Sequence, residues 1–157
     1  MIEVAIEVAH EDRSLRVVRA AGLVVAAWTD APEVEQLRVV RRLGLEAERE
    51  RPNATAYLNG IVRGGNRFPA EVRAEMEVNA RDANLFTRGV AHVVLLPGWL
   101  GSTARVIARG AITVGRPPVT NLVFAAAPPA AKWLAERLGE PWTADVVMRA
   151  WAVAYDG

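Results

Sequence analysis

Val90-Ala91-His92-Val93-Val94-Leu95-Leu96-Pro97, "VAHVVLLP", is an apolar run interrupted by a single histidine before the proline. A strand with one wet face alternates polar and apolar residues. A run without that alternation is expected where helices cover both faces of a parallel sheet. The chain on either side agrees. Upstream, "ATAYLNGIV" reads as another strand, and Pro69 starts a helix with Val72, Met76, Asn79 or Ala80, Ala83 and Phe86 inward, closed by Gly89. Downstream, the spacing predicts a helix over about Ser102 to Val114, with Ala104, Ile107, Ala108 and Ala111 inward. Pro117-Pro118 forbid its continuation. "VTNLVFA" is then a strand, Pro128-Pro129 open a helix with Ala131, Leu134 and Leu138 inward, Gly139 ends it, and a last helix runs from Thr143 to Tyr155.

The N-terminal part begins with Ile2, Val4, Ile6 and Val8 set against the acids Glu3 and Glu7, the period-2 mark of a half-buried strand over Ile2 to Val8, and "HEDRS" reads as a polar turn. Leu15 to Val18 and Leu23 to Trp28 form a hairpin about Ala20-Ala21-Gly22, unless the first two runs are one bent strand. Thr29 or Asp30 caps the next helix, Pro32 suits its first turn, and Glu33 and Glu35 favour its positive end. Val34, Leu37, Val40, Leu43 and Ala47 form its apolar stripe, and Pro52-Asn53 stop it. The order β-β-β-α-β-α-β-α-β-α-α predicts an α/β fold: a mostly parallel sheet with an N-terminal β-hairpin and right-handed βα units. One domain is expected over 1–157, with a core of about 1–138 and a helical extension over 141–157.

Composition narrows the function classes. The net charge of +1 supplies no global field toward nucleic acid or anionic membrane. Arginine is used 18 times and lysine once, at Lys132, but the arginines are dispersed among acids, as in "RVVRRLGLEAERER", which suits a solvated helix face. The absence of cysteine excludes disulfides, thiolate metal sites and a cysteine nucleophile. No apolar run approaches the roughly 18 residues of a membrane span, and the N-terminus does not read as a signal peptide, so a cytoplasmic protein is expected.

The stretch "HVVLLPGWLGSTARVIARGAITVGRPPVTNLVFAAAPPAAKWLAERL", closed by Ala131, Trp133 and Leu134, resembles the STAS domains and the wider SpoIIAA-like superfamily, in particular STAS/SEC14-type proteins of GC-rich bacteria such as myxobacteria. The resemblance covers about Leu15 to Leu138 as topology and about Val93 to Leu138 as sequence. It implies a regulatory or assembly role, which in the family is switched by phosphorylation of a Ser or Thr between the third strand and the second helix. The matching segment here, Tyr57 to Phe86, contains neither residue, so the phospho-switch is expected to be absent.

Few residues carry recognisable chemistry. "GWLGSTARVIARG", Gly98 to Gly110, looks like a phosphate loop but has no lysine before Ser102-Thr103, and its glycines Gly98 and Gly101 are too closely spaced for one. Ser102 or Thr103 caps a helix in the simpler reading; in the sharper one its free N–H groups and Arg105 attract an anion. Arg105 and Arg109 share a helix face with Arg116 just beyond, in a region whose one acid between Gly98 and Gly139 is Glu136. Neither His10 nor His92 has a catalytic partner in sequence. His10 is expected exposed, and His92 is expected as a satisfied, partly buried imidazole. Ser14 and Ser102 lie in no nucleophile elbow. Glu46/Glu50 and Glu71/Glu75 read as solvated helix faces rather than acid–base pairs.

The candidate binding residues are therefore Arg63, Gly64, Gly65, Asn66, Arg67 and Phe68 in the loop "RGGNRFP", at the carboxyl end of a strand where α/β sheets place ligands, together with Gly101, Ser102, Thr103, Arg105 and Arg109. The apolar C-terminal segment, with Trp142, Val147 and Trp151, either packs on the domain or forms a homodimer contact. The expected function is a non-catalytic protein–protein interaction module, with a protein partner and with no cofactor, metal, nucleic acid or membrane span. The alternative is a binding protein for a small anionic or lipid-like ligand, in a pocket lined by residues such as Val94, Leu96, Trp99 and Ile107.

Overall fold

A computed structural model describes residues 3–62, 68–95 and 121–156. Its elements are β1 Glu7–Glu11, β2 Leu15–Ala20, β3 Leu23–Trp28, α1 Val34–Glu50, β4 Ala56–Ile61, α2 Ala70–Phe86, β5 Gly89–Val94, β6 Asn121–Phe124, α3 Ala127–Leu138 and α4 Ala144–Asp156. The helix expected over about 102–114 lies outside the described residues.

Among the described residues the strands form one sheet in the order β1-β2-β3-β4-β5-β6. β1, β2 and β3 are antiparallel, whereas β3 to β6 are parallel, so the α/β class and the mostly parallel sheet with its N-terminal hairpin are present. Each parallel step advances one place in the same direction, and α1 and α2 accordingly share one face of the sheet, as crossovers of one hand require. Side chains alternate between the faces. Val18, Val25, Leu58, Ala91 and Val93 meet Ala130, Leu134, Val147 and Trp151 of α3 and α4. Val17, Val24, Trp28, Tyr57 and Val90 meet Leu37, Val40, Leu43 and Val72 of α1 and α2. With both faces covered, the apolar run around β5 is explained.

Three local expectations need correction. The first strand is Glu7–Glu11, not Ile2 to Val8, and His10 and Glu11 belong to it rather than to a turn. The reversal waits for Asp12, whose Oδ1 accepts the amides of Ser14 (2.9 Å) and Leu15 (3.0 Å), while Val4 and Ile6 pack on the α3/α4 face ahead of the strand. The cap of α1 is Glu33, not Thr29 or Asp30, and Pro32 precedes the helix. Gln36 decides this: its Oε1 accepts the Glu33 amide at 3.0 Å, closing the first turn there. Finally, Gly89 does not close α2, which ends at Phe86 with Thr87 as its cap; Gly89 is the first residue of β5.

Two glycines set interlayer distances. A Cβ on Gly44 of α1 would occupy the Tyr57 hydroxyl, and one on Gly60 of β4 would occupy the Trp151 ring. α4 thus lies against the sheet, with Val147, Ala150, Trp151 and Ala154 buried and Trp151 stacked on Tyr155 at 5.5 Å. Trp142 is partly buried beside them. Arg16 of β2 fastens the end of α4, donating from Nη1 to the Val153 carbonyl at 3.2 Å.

Candidate functional site

The parallel register determines where the sequence-predicted stretches begin. Ile61 of β4 pairs with Val94 of β5, and the Leu95 amide donates to the Ile61 carbonyl at 2.9 Å. The segment that leaves β4 at Val62 and the one that leaves β5 at Leu95 therefore start side by side, at the carboxyl end of the sheet where α/β proteins place ligands. Arg63, Gly64, Gly65, Asn66 and Arg67 themselves lie outside the described residues, as do Gly101, Ser102, Thr103, Arg105, Arg109 and the pocket residues Leu96, Trp99 and Ile107. Phe68 is described: it packs half-buried against the α1/α2 cluster and anchors the start of α2. Val94 is fully buried, on the same sheet face.

That face carries a polar row that the apolar pattern of the strands did not advertise. Asn59 pairs with His92, and His92 pairs with Val123 next to Asn121. By alternation all three polar side chains point the way Tyr57 and Val90 do, toward the α1/α2 side. His92 was expected to be satisfied, and it is only partly so. Asn121 hydrogen-bonds its ring, but Nε2 is buried with no hydrogen-bond partner among the described residues. Burial pushes its pKa down to about 4 against the opposing pull of Asn121, so the ring is neutral at pH 7. A neutral imidazole with a free nitrogen can make one more hydrogen bond. A base this weak is poorly matched to proton abstraction near neutrality.

At the same end of the sheet, Asp12 organises a second polar knot. Its Oδ1 also accepts Gln36 Nε2 (2.9 Å), its Oδ2 faces His10 Nε2 (2.8 Å), and Gln36 Nε2 also donates to Ser14 Oγ (2.8 Å). Desolvation raises the carboxyl pKa, but the bonds from His10, the Ser14 amide, Gln36 and the Leu15 amide outweigh it and bring the pKa to about 2. Every member of the knot is spent on holding the β1–β2 turn to the start of α1, so Ser14 is a structural hydroxyl. Gln36, three residues after Glu33, was a readable capping signal; its tie to Asp12 joins positions 24 apart in the chain and has no local signature.

Of the helical acids, Glu50 and Glu71 are exposed, as a solvated face requires, and Glu71 has no ion pair among the described residues, whereas the Glu75 side chain is 15% exposed. Glu50 takes Arg19 of β2 at 2.6 Å, and Glu75 of α2 bridges Arg38 (3.1 Å) and Arg41 (3.0 Å) of α1. No group of three or more His, Cys, Asp or Glu residues suited to a metal occurs among the described residues, and no described helix is long and apolar enough to cross a membrane. One further cluster, Arg88 with Trp133, Glu136 and Arg137, lines an open cavity of about 560 Å³ at the opposite end of the sheet.

No family model matches the chain, and neither curated proteins nor solved structures yield a match.

Proposed function

We propose that this chain is a STAS-like, non-catalytic interaction module of a regulatory or assembly complex, acting without a phospho-switch and presenting the carboxyl end of its parallel strands to a protein partner. The observation that carries the reading is the Ile61–Val94 pairing, which starts the Arg63–Phe68 loop and the Gly98–Arg109 stretch from neighbouring strand ends. The two segments that hold the residues chosen separately in the sequence thereby leave the sheet side by side, and together they contain four arginines (Arg63, Arg67, Arg105 and Arg109). Guanidinium groups in that number suit an acidic partner through bidentate hydrogen bonds. The homodimer expectation belongs to the same reading in reduced form. Val147 and Trp151 are spent on the chain's own sheet, which leaves exposed Val153 and Tyr155 for a contact between copies.

The test is photo-crosslinking in cells from a probe at Arg63 and, separately, at Arg105. One and the same cross-linked protein from both positions, lost when Arg67 and Arg109 are changed to Ala, is the expected result. Different or no protein adducts at the two positions would discard the reading. A second reading, a binder of a small anionic or lipid-like ligand in a cytoplasmic setting, is favoured by one observation: the buried Nε2 of His92, without a hydrogen-bond partner among the described residues, on the same sheet face as Val94. Native mass spectrometry of the purified chain separates the two readings. A retained mass that disappears in His92→Leu supports the ligand binder.

A further inference from the structure

We propose that the ledge built by Arg88, Trp133 and Arg137 binds small organic anions that join a carboxylate or phosphate to a flat apolar group. This site is independent of the partner edge. Arg88 precedes β5 and Arg137 lies in the last turn of α3, so the ledge sits at the amino end of the parallel strands.

Both guanidinium groups are held by carbonyls rather than carboxylates. Arg88 donates from Nε to the Asn53 carbonyl at 2.5 Å and from Nη1 to the Arg137 carbonyl at 3.5 Å. Arg137 returns the contact, donating from Nε to the Arg88 carbonyl at 2.7 Å, and its guanidinium carbon stands 5.0 Å above the Trp133 ring. Neither arginine forms an ion pair among the described residues, whereas Arg16, Arg19, Arg38 and Arg41 all do. Nη2 of Arg88 and both terminal nitrogens of Arg137 remain without a partner there. Two positive charges thus stand uncompensated on side chains whose conformations are already fixed, which lowers the ordering cost of binding.

Trp133 is equally constrained. Its ring lies 5.9 Å from Phe124, tilted by 50°, and it closes over Gly89, where a Cβ would come within 3.1 Å of it. The Arg137 guanidinium covers one part of the ring, and the surface that remains borders an open hollow of about 560 Å³ shared with Arg88 and Glu136. Glu136 on the rim repels additional negative charge, which selects a single carboxylate or phosphomonoester over a polyphosphate.

The experiment is ¹⁵N NMR of the full chain, titrated separately with adenosine monophosphate, benzoate and inorganic phosphate. Saturable shifts of the Trp133 indole N–H and the Arg88 and Arg137 Nε–H with the first two compounds are expected. Arg88→Gln and Arg137→Gln should each weaken binding roughly tenfold, and Arg73→Gln, exposed on α2, should leave it unchanged. Because Arg137 also braces the chain, Glu136→Gln serves as a variant that removes no bracing bond, and it should tighten binding. Saturation by inorganic phosphate without a Trp133 response, no saturable shift at millimolar probe, or binding indifferent to Glu136→Gln would each overturn the assignment.

Discussion

Gly60→Ala puts one methyl group into the space of an indole. Gly60 sits inside β4 facing α4, and a Cβ there would overlap the Cη2 and Cζ3 atoms of Trp151 and stand 3.5 Å from Cζ2. Trp151 has little room to retreat, being 6% exposed, stacked on Tyr155 and bordered by buried Val147, Ala150 and Ala154. The methyl can therefore be accommodated only by moving α4 off the sheet or forcing the ring out of its rotamer. Overpacking of this kind costs about 2–3 kcal/mol, which for a chain of this length lowers Tm by roughly 4–12 °C. The atoms in conflict belong to the six-membered ring of the indole, so a smaller ring at 151 should relieve them. Trp151→Phe costs about 1–2 kcal/mol by itself through the cavity it leaves, and Gly60→Ala in that background should cost less than about 1 kcal/mol. Urea unfolding of the four proteins of this cycle, followed by far-ultraviolet circular dichroism, measures the coupling. A Gly60→Ala penalty below about 0.5 kcal/mol, or the same penalty in both backgrounds, would refute the packing of α4 on β4.

Two titrations act in separate pH windows. His92 has a folded pKa of about 4 against an ordinary 6.5, so the unfolded chain binds the extra proton and stability falls as pH drops from 6.5 toward 4. At pH 4.5 the loss relative to pH 7 is roughly 2 kcal/mol, and His92→Asn should flatten that part of the stability–pH curve; an unchanged slope would show that His92 is not buried. Asp12 works lower: its stabilisation is present above pH 3.8 and disappears as pH falls through about 2. With its side chain 33% exposed, that contribution is about 1–2 kcal/mol after solvent screening, and Asp12→Asn should remove it in acid titrations followed by fluorescence. Gln36→Ala breaks the bonds to Glu33, Asp12 and Ser14 and should cost about 2–3 kcal/mol in urea unfolding; a near-neutral effect would sink the account of the knot. Glu50→Gln leaves Arg19, 9% exposed, without its closest counter-charge and should cost about 1–2 kcal/mol, where Glu35→Gln on the exposed face costs under about 0.5 kcal/mol.

Local periodicity carried most of the fold into view. The stripe Leu37-Val40-Leu43-Ala47 is buried as its spacing demands, and the hairpin of Leu15–Ala20 and Leu23–Trp28 falls where the β-branched runs lie. Errors gathered at ends, where a long-range bond outweighs a local signal. Asp30 was a plausible cap, but its Oδ1 is engaged by the adjacent Ala31 amide, and the helix starts where Gln36 closes the turn. His10 looked like a turn residue until the Asp12 clamp placed the reversal after it.

By itself the sequence determined the α/β class, the type of most described elements and most of the faces that would be buried, because helix and strand periods are properties of a few consecutive residues; whether the first two apolar runs were one strand or two stayed open. Only the tertiary structure decided which of those elements lie side by side. It brought the ends of β4 and β5 together, put Asn59, His92 and Asn121 on one face, and brought Arg88 to Arg137, whose guanidinium lies over Trp133. Each of these depends on strand order and register, which are settled by packing between positions tens of residues apart.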